Sequence, residues 1–197
     1  MDELLDRRPI LIAIAGPNGA GKSTFYQTQL RPSGLPFVNA DELALSLHVD
    51  SYRAAELADR IRRELVARQE SFVFETVFSD PVGDKLAFLK DAAQQGYTVI
   101  LFFIGIDGPE VSEERVTIRV IKGGHDVPAD KIVARYPRVM ANLKWALSEL
   151  PNVRVYDNGD LRQPYRLVAV KENSQPVQLR GPVPEWLSPL LPDYPER

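Results

Sequence analysis

Gly16-Pro17-Asn18-Gly19-Ala20-Gly21-Lys22-Ser23-Thr24 decides the reading of this chain, because these nine residues fit the pattern G-x-x-x-x-G-K-[ST] in the context that pattern needs. Just before them, Pro9 to Ala15 is an unbroken apolar run with three isoleucines, the composition of a strand buried on both faces of a parallel sheet. Just after, Lys22 to Leu30 reads as a helix, ended by Pro32 and Gly34. A strand feeding a glycine-rich turn into a helix can cradle phosphate. The glycines let backbone N–H groups wrap phosphate oxygens, and the helix start adds its positive dipole end. Lys22 reaches the β and γ phosphates and Ser23 can ligate magnesium. A glycine-rich turn that binds nothing is the alternative, and the flanking strand and helix argue against it. The N/T-K-x-D stretch typical of guanine readers is absent, and Val155-Tyr-Asp-Asn-Gly159, ending a later strand, is suited to face adenine. Residues Gly16 to Thr24 are therefore the expected binding segment for ATP, with Mg2+ at Ser23.

The rest of the chain continues the alternation. Pro36 to Asn39 is a short strand. Asp41 to Leu47 and Tyr52 to Gln69 read as helices, the second with Ala54, Leu57, Ala58, Ile61 and Leu65 at helical spacing. Phe72 to Phe78 is β-rich, Pro81 opens a helix running to Gln95, and Thr98 to Ile104 is another buried strand. Glu110 to Lys122 and Pro128 to Leu150 are helical patterns separated by Gly123-Gly124, the second containing Pro137; Val153 to Tyr156 and Tyr165 to Lys171 are extended. The expected fold is α/β, a P-loop NTPase or kinase-like three-layer sandwich with a mostly parallel sheet of five to six strands and ligands at the strands' carboxyl ends. Residues 1–173 form the domain, with a helical lid at about 109–135. The proline-rich stretch 174–197 is expected to lie extended over the domain or to be partly disordered.

Composition narrows the function. A chain of 197 residues suits one core. Net charge of -3 and a pI near 5.5 supply no basic field, so neither nucleic acid nor an anionic membrane is an expected partner. With no cysteine and two histidines, thiol chemistry is excluded and a structural zinc site disfavoured. The N-terminus lacks a cleavage signal and the longest apolar stretch, Tyr97 to Ile106, is too short to span a bilayer as a helix, so a cytoplasmic protein is expected.

Four places carry candidate chemistry besides the phosphate loop. Asp41, just beyond the second strand, is placed to accept the proton of an acceptor hydroxyl attacking the γ-phosphate; the competing role is a helix N-cap, and one residue can do both. Glu75 and Thr76 end the third strand and are candidate substrate-binding residues with Asp41. Glu75 either orients the acceptor or holds a magnesium-bound water, unless it is simply a solvated acid. Arg115 and Arg119 share one face of the Glu110 to Lys122 helix, and Arg135 lies early in the next. Arginines closing over a nucleotide can stabilise transferring phosphoryl charge, although a charged helix face is usually only solvated. The break Gly123-Gly-His-Asp-Val-Pro128 between them can hinge a lid, with His125 near phosphate or supporting the loop.

These segments together resemble the zeta toxin family of P-loop kinases, especially its small stand-alone members. The likeness rests on the phosphate loop, Val38-Asn-Ala-Asp41, Phe74-Glu-Thr76, Arg119-Val-Ile-Lys-Gly-Gly-His-Asp-Val-Pro128 and Arg135-Tyr-Pro-Arg-Val-Met-Ala-Asn-Leu143, and extends to about Asn158. It implies an ATP-dependent kinase acting on a small-molecule hydroxyl acceptor, with a UDP-N-acetyl-sugar as first candidate, and a small antitoxin protein as possible partner. It also implies that Lys22 contacts phosphate, Ser23 holds magnesium, Asp41 is the base, and Arg119 and Arg135 stabilise charge. The chain departs from the larger toxins in its shortness and in lacking an evident extended acceptor-binding region around Glu75 to Asp80. A regulatory P-loop ATPase and a polynucleotide or other metabolite kinase are the rival readings.

Overall fold

The computed structural model describes residues 3–121, 123–124 and 126–191. Seven strands form one sheet in the order β2-β3-β1-β4-β5-β6-β7. They are β1 (Ile10–Ala15), β2 (Phe37–Val38), β3 (Phe72–Thr76), β4 (Thr98–Gly105), β5 (Val153–Asp157), β6 (Arg166–Lys171) and β7 (Gln178–Leu179). The first five in this chain order run parallel, and β6 and β7 are antiparallel additions at one edge. The helices are α1 (Glu3–Asp6), α2 (Lys22–Phe25, continued as a wider turn over Tyr26–Leu30), α3 (Ala40–Leu47), α4 (Ser51–Ala67), α5 (Asp84–Gln94), α6 (Gly108–Ile121) and α7 (Ala129–Glu149).

The two-residue period of the strands divides the core. Ile10, Ile12 and Ile14 of β1 join Ile100, Phe102 and Ile104 of β4 on one face, covered by α1, α2 and Tyr26 to Leu30. Leu11, Ala13 and Ala15 join Leu101, Phe103 and Phe74 on the other, under α4, α5, α7 and the C-terminal residues Trp186, Leu187 and Leu191. Burial on both faces is why these strands read as continuous apolar runs. Among the described residues, no helix is long and apolar enough to cross a membrane.

The sheet has seven strands, not five or six. The uncounted strand is β7, whose two side chains are exposed; it pairs through backbone alone and leaves no apolar alternation to read. The helix expected from Pro81 begins at Asp84. Gly83, with φ 77°, turns the chain into it, while Asn142 Nδ2 donates to the carbonyls of Phe78 and Asp80 and ties the preceding segment to α7. Helix α7 continues through Pro137. Lys122, His125 and residues 192–197 lie outside the described residues.

Candidate nucleotide and acceptor site

The sheet's carboxyl ends meet α2, α3, α6 and α7 at one rim, and the expected residues gather there. The phosphate loop is forced into its shape by close backbone approaches. Gly16, at φ 144°, lies so near the Ile104 carbonyl that a Cβ would collide with it. Gly21, at φ 92°, leaves room for Asn158 Nδ2 and Tyr165 Oη, which a Cβ would meet at 2.8 and 2.9 Å. These two side chains hold the loop from behind: Asn158 Nδ2 donates to the Ala20 carbonyl at 2.8 Å and Tyr165 Oη to the Gly21 carbonyl at 2.9 Å. The N–H groups of Lys22, Ser23 and Thr24 open α2, where helical geometry offers them no carbonyl partner.

Lys22 is buried and donates to the Pro17 carbonyl at 3.0 Å, with Glu75 Oε1 4.0 Å from its ammonium. Burial pulls its pKa down; Glu75 and Asp41 favour its charged form, and Arg119 and Arg135 oppose it. Arg119 and Arg135 are therefore close enough for their charges to reach the phosphate-loop lysine. Arg115 is committed elsewhere, to the Gly159 carbonyl at 3.1 Å.

Glu75 is the hub of the acids. Its Oε2 accepts from Ser23 Oγ at 2.9 Å and from Asn39 Nδ2 at 3.0 Å. Burial raises its pKa, while the Lys22 charge and the Ser23 hydrogen bond hold it down. This arrangement excludes the reading of Glu75 as a solvated strand-end acid. A hydroxyl beside a carboxylate is a hard-oxygen pair that fits Mg2+, an ion that completes its shell with water and phosphate and needs no all-protein cage.

Asp41 is exposed in the first turn of α3 but does not cap it. Asn39 does, its Oδ1 accepting from the N–H groups of Asp41 at 2.8 Å and Glu42 at 3.3 Å. The competing role for the Asp41 carboxylate therefore falls away. Thr76 Oγ1 accepts from Phe78 N–H at 3.1 Å and supports a buried Phe78 at φ 64°.

Two adjoining clefts open beside these acids. One of about 170 Å³ is lined by Asn39, Asp41, Glu75, Thr76, Arg62 and Lys85. The other, about 480 Å³, lies between the Thr76 to Asp80 segment and the Arg135 and Arg138 side of α7. The segment that lacked an evident acceptor region in sequence thus lines a cleft, shaped by backbone turns and by Asn142 from 62 positions along the chain. Below it, Asp59 links Arg62, Arg63 and Lys85. Burial pushes the Asp59 carboxyl up, but hydrogen bonds from Arg63 and Arg62 and the charges of Arg62 and Lys85 outweigh it and hold it at about 2.

Asn39, Tyr165, Arg62 and Lys85 had no individual role in the sequence reading, and Asn158 stood only within the segment expected to face adenine. Asn39, two residues before the acidic pair Asp41-Glu42, carried a capping signal that was readable. Asn158, Tyr165 and Lys85 act across long sequence separations and had no local signal, and Arg62, paired with Asp59 one turn away, read as part of a charged helix face.

The family profile described as zeta toxin matches residues 39–166. A protein of Haemophilus influenzae is 27% identical over 131 residues, covering 64% of this chain and 91% of that protein. Among solved structures, a chain of the AvrRxo1-ORF1:AvrRxo1-ORF2 complex superposes with a TM-score of 0.69 at 20% identity, covering 90% of this chain and 63% of that one; the same complex with ATP gives 0.68. The PezAT toxin–antitoxin system of Streptococcus pneumoniae gives 0.53 at 19% identity, covering 76% and 69%. This chain thus spans less than two thirds of the AvrRxo1 chain. The profile spans well over half of the chain, and the chain belongs to the zeta toxin family.

Proposed function

We propose that the protein transfers the γ-phosphoryl group of ATP to a hydroxyl of a small-molecule acceptor, with Asp41 as base. The observation that carries this is the side-by-side arrangement of Lys22, Ser23 and Glu75 with an uncommitted Asp41 carboxylate that lines the smaller cleft. ATP lies along Gly16 to Thr24, with the phosphates on the free N–H groups at the start of α2. Lys22 exchanges its Pro17 carbonyl for phosphate oxygen, so the cation is already in place when the nucleotide arrives. The acceptor oxygen attacks the γ-phosphorus as its proton passes to an Asp41 carboxylate oxygen, and the bond to the β-phosphate oxygen breaks to release ADP. Arg119 and Arg135 stabilise charge on the equatorial oxygens. Ser23 and Glu75 would hold Mg2+, which neutralises charge between the β and γ phosphates when bound.

The acceptor occupies the clefts along Glu75 and Thr76. A UDP-N-acetyl-sugar is the first candidate, from the family resemblance. AvrRxo1-ORF1:AvrRxo1-ORF2 and PezAT are both complexes with a second component. By that likeness, a small antitoxin protein is the expected partner here, in the cytoplasm. Incubating the protein with ATP, Mg2+ and a panel of UDP-sugars, nucleosides and oligonucleotides should yield a phosphorylated UDP-sugar. Phosphorylation of oligonucleotides alone would move the polynucleotide kinase reading ahead, and release of inorganic phosphate alone the regulatory ATPase.

A further inference from the structure

The proline-rich stretch 174–197 carries no periodicity in sequence, and the family match ends at 166. Yet Leu187 is completely buried and Trp186 nearly so. The Trp186 indole lies flat against Gly105, the last residue of β4, where any Cβ would collide with its six-membered ring. Its Nε1–H donates to Asp157 Oδ1 at 3.2 Å. That oxygen also accepts the Gly159 N–H at 3.1 Å, and Asp157 Oδ2 accepts from Arg166 at 3.0 Å. Arg166 in turn donates to the Pro182 carbonyl at 2.7 Å, so the C-terminal segment is tied to Asp157 by two routes.

The turn 157–159 carries Asn158, one of the two side chains that hold the phosphate loop. Asn158 takes the Gly105 carbonyl with its N–H at 2.9 Å and the Ala20 carbonyl with its side chain. Gly159 receives Arg115 from α6. One short turn therefore has the C-terminal segment on one side and the phosphate loop and lid helix on the other.

We propose that Trp186 is a positioning residue for nucleotide binding. Its indole N–H and ring fix Asp157, and through it the turn 157–159, in the place where Asn158 grips the phosphate loop and Gly159 anchors Arg115. The segment 180–191 is then a working part of the nucleotide site. A hydrogen bond to a carboxylate is stronger than one between neutral groups, and its loss leaves Asp157 with one tie fewer to the C-terminal segment. The nucleotide part of this inference rests on the ATP reading above.

Trp186→Phe keeps an aromatic side chain in the core but removes the N–H and the outer ring that lies against Gly105. In the full chain without nucleotide, hydrogen exchange at 157–159 and at 18–24 should quicken several-fold relative to wild type. The Kd for ATP should rise about fivefold, with kcat at saturating ATP within about twofold of wild type. A purely structural role would lower the melting temperature and leave that split absent. Gly105→Ala, which displaces the ring without touching its N–H, should reproduce both effects. If Trp186→Phe exchanges like wild type at 157–159 and binds ATP equally, the proposal is wrong. If the wild type does not bind ATP, the ATP reading fails by itself, and the exchange comparison still decides whether Trp186 holds the turn.

Discussion

The nucleotide end of the site and its acceptor end are built differently. At the nucleotide end the loop is closed by backbone approaches that exclude any side chain at Gly16, by Asn158 and Tyr165 behind it, and by a lysine already seated on Pro17. At the acceptor end there are open clefts, an exposed Asp41 and charged side chains at their rims. The difference teaches where specificity resides. Phosphate binding needs one preorganised geometry, whatever the acceptor, whereas the wider cleft is lined on one side by Val77 to Asp80, loop residues beyond the end of β3.

The comparison breaks most visibly at Lys22. Lys22→Ala should weaken ATP binding sharply and cut transfer by about a thousandfold or more while leaving the protein folded; a folded variant with undiminished transfer contradicts the nucleotide end as described. Asp41→Asn tests the other end. Because Asn39 carries the cap, stability and ATP affinity should stay near wild type, while transfer falls by roughly 10² to 10⁴. Nucleotide titration beside a transfer assay reads that split. For the lid, Arg119→Ala and Arg135→Ala should each reduce kcat by about a hundredfold with a smaller change in ATP Kd. Near-wild-type turnover in both would reduce them to a charged helix face.

Smaller effects sharpen the contrast. Asn158→Ala strands the buried Ala20 carbonyl and should cost about 1 to 3 kcal/mol in urea unfolding, with weaker ATP binding. Asp59, beneath the acceptor cleft, has its folded pKa at about 2, below the ordinary carboxylate value near 4. Its contribution is present above pH 4 and disappears as pH falls toward 2. With a third of the side chain exposed, that contribution is about 1 kcal/mol after screening. Stability measured from pH 5 to 2 should therefore fall less steeply in Asp59→Asn than in wild type.

Most of the nucleotide end was legible in sequence because its chemistry is local: a buried strand, a glycine pattern and a helix start lie within sixteen consecutive residues, 10 to 25. The parallel order of the central strands followed from their unbroken apolar runs. Local patterning could not place Asn158, 138 residues from the carbonyl it holds, or distinguish Asn39 from Asp41 as cap without seeing which side chain turns back on the helix. For the C-terminal stretch, expected to lie extended over the domain or to be partly disordered, it could not say which residues would be anchored. Prolines erased its periodicity, yet Trp186 and Leu187 are anchored singly in the core, and single anchors have no period.

The central claim is that the γ-phosphoryl group goes to an acceptor and not to water. Following the label from γ-labelled ATP with the full chain, Mg2+ and the acceptor panel measures that partition directly. The account predicts label on an acceptor hydroxyl, dependent on both Lys22 and Asp41, with little inorganic phosphate; label found only as inorganic phosphate, whatever acceptor is offered, contradicts it.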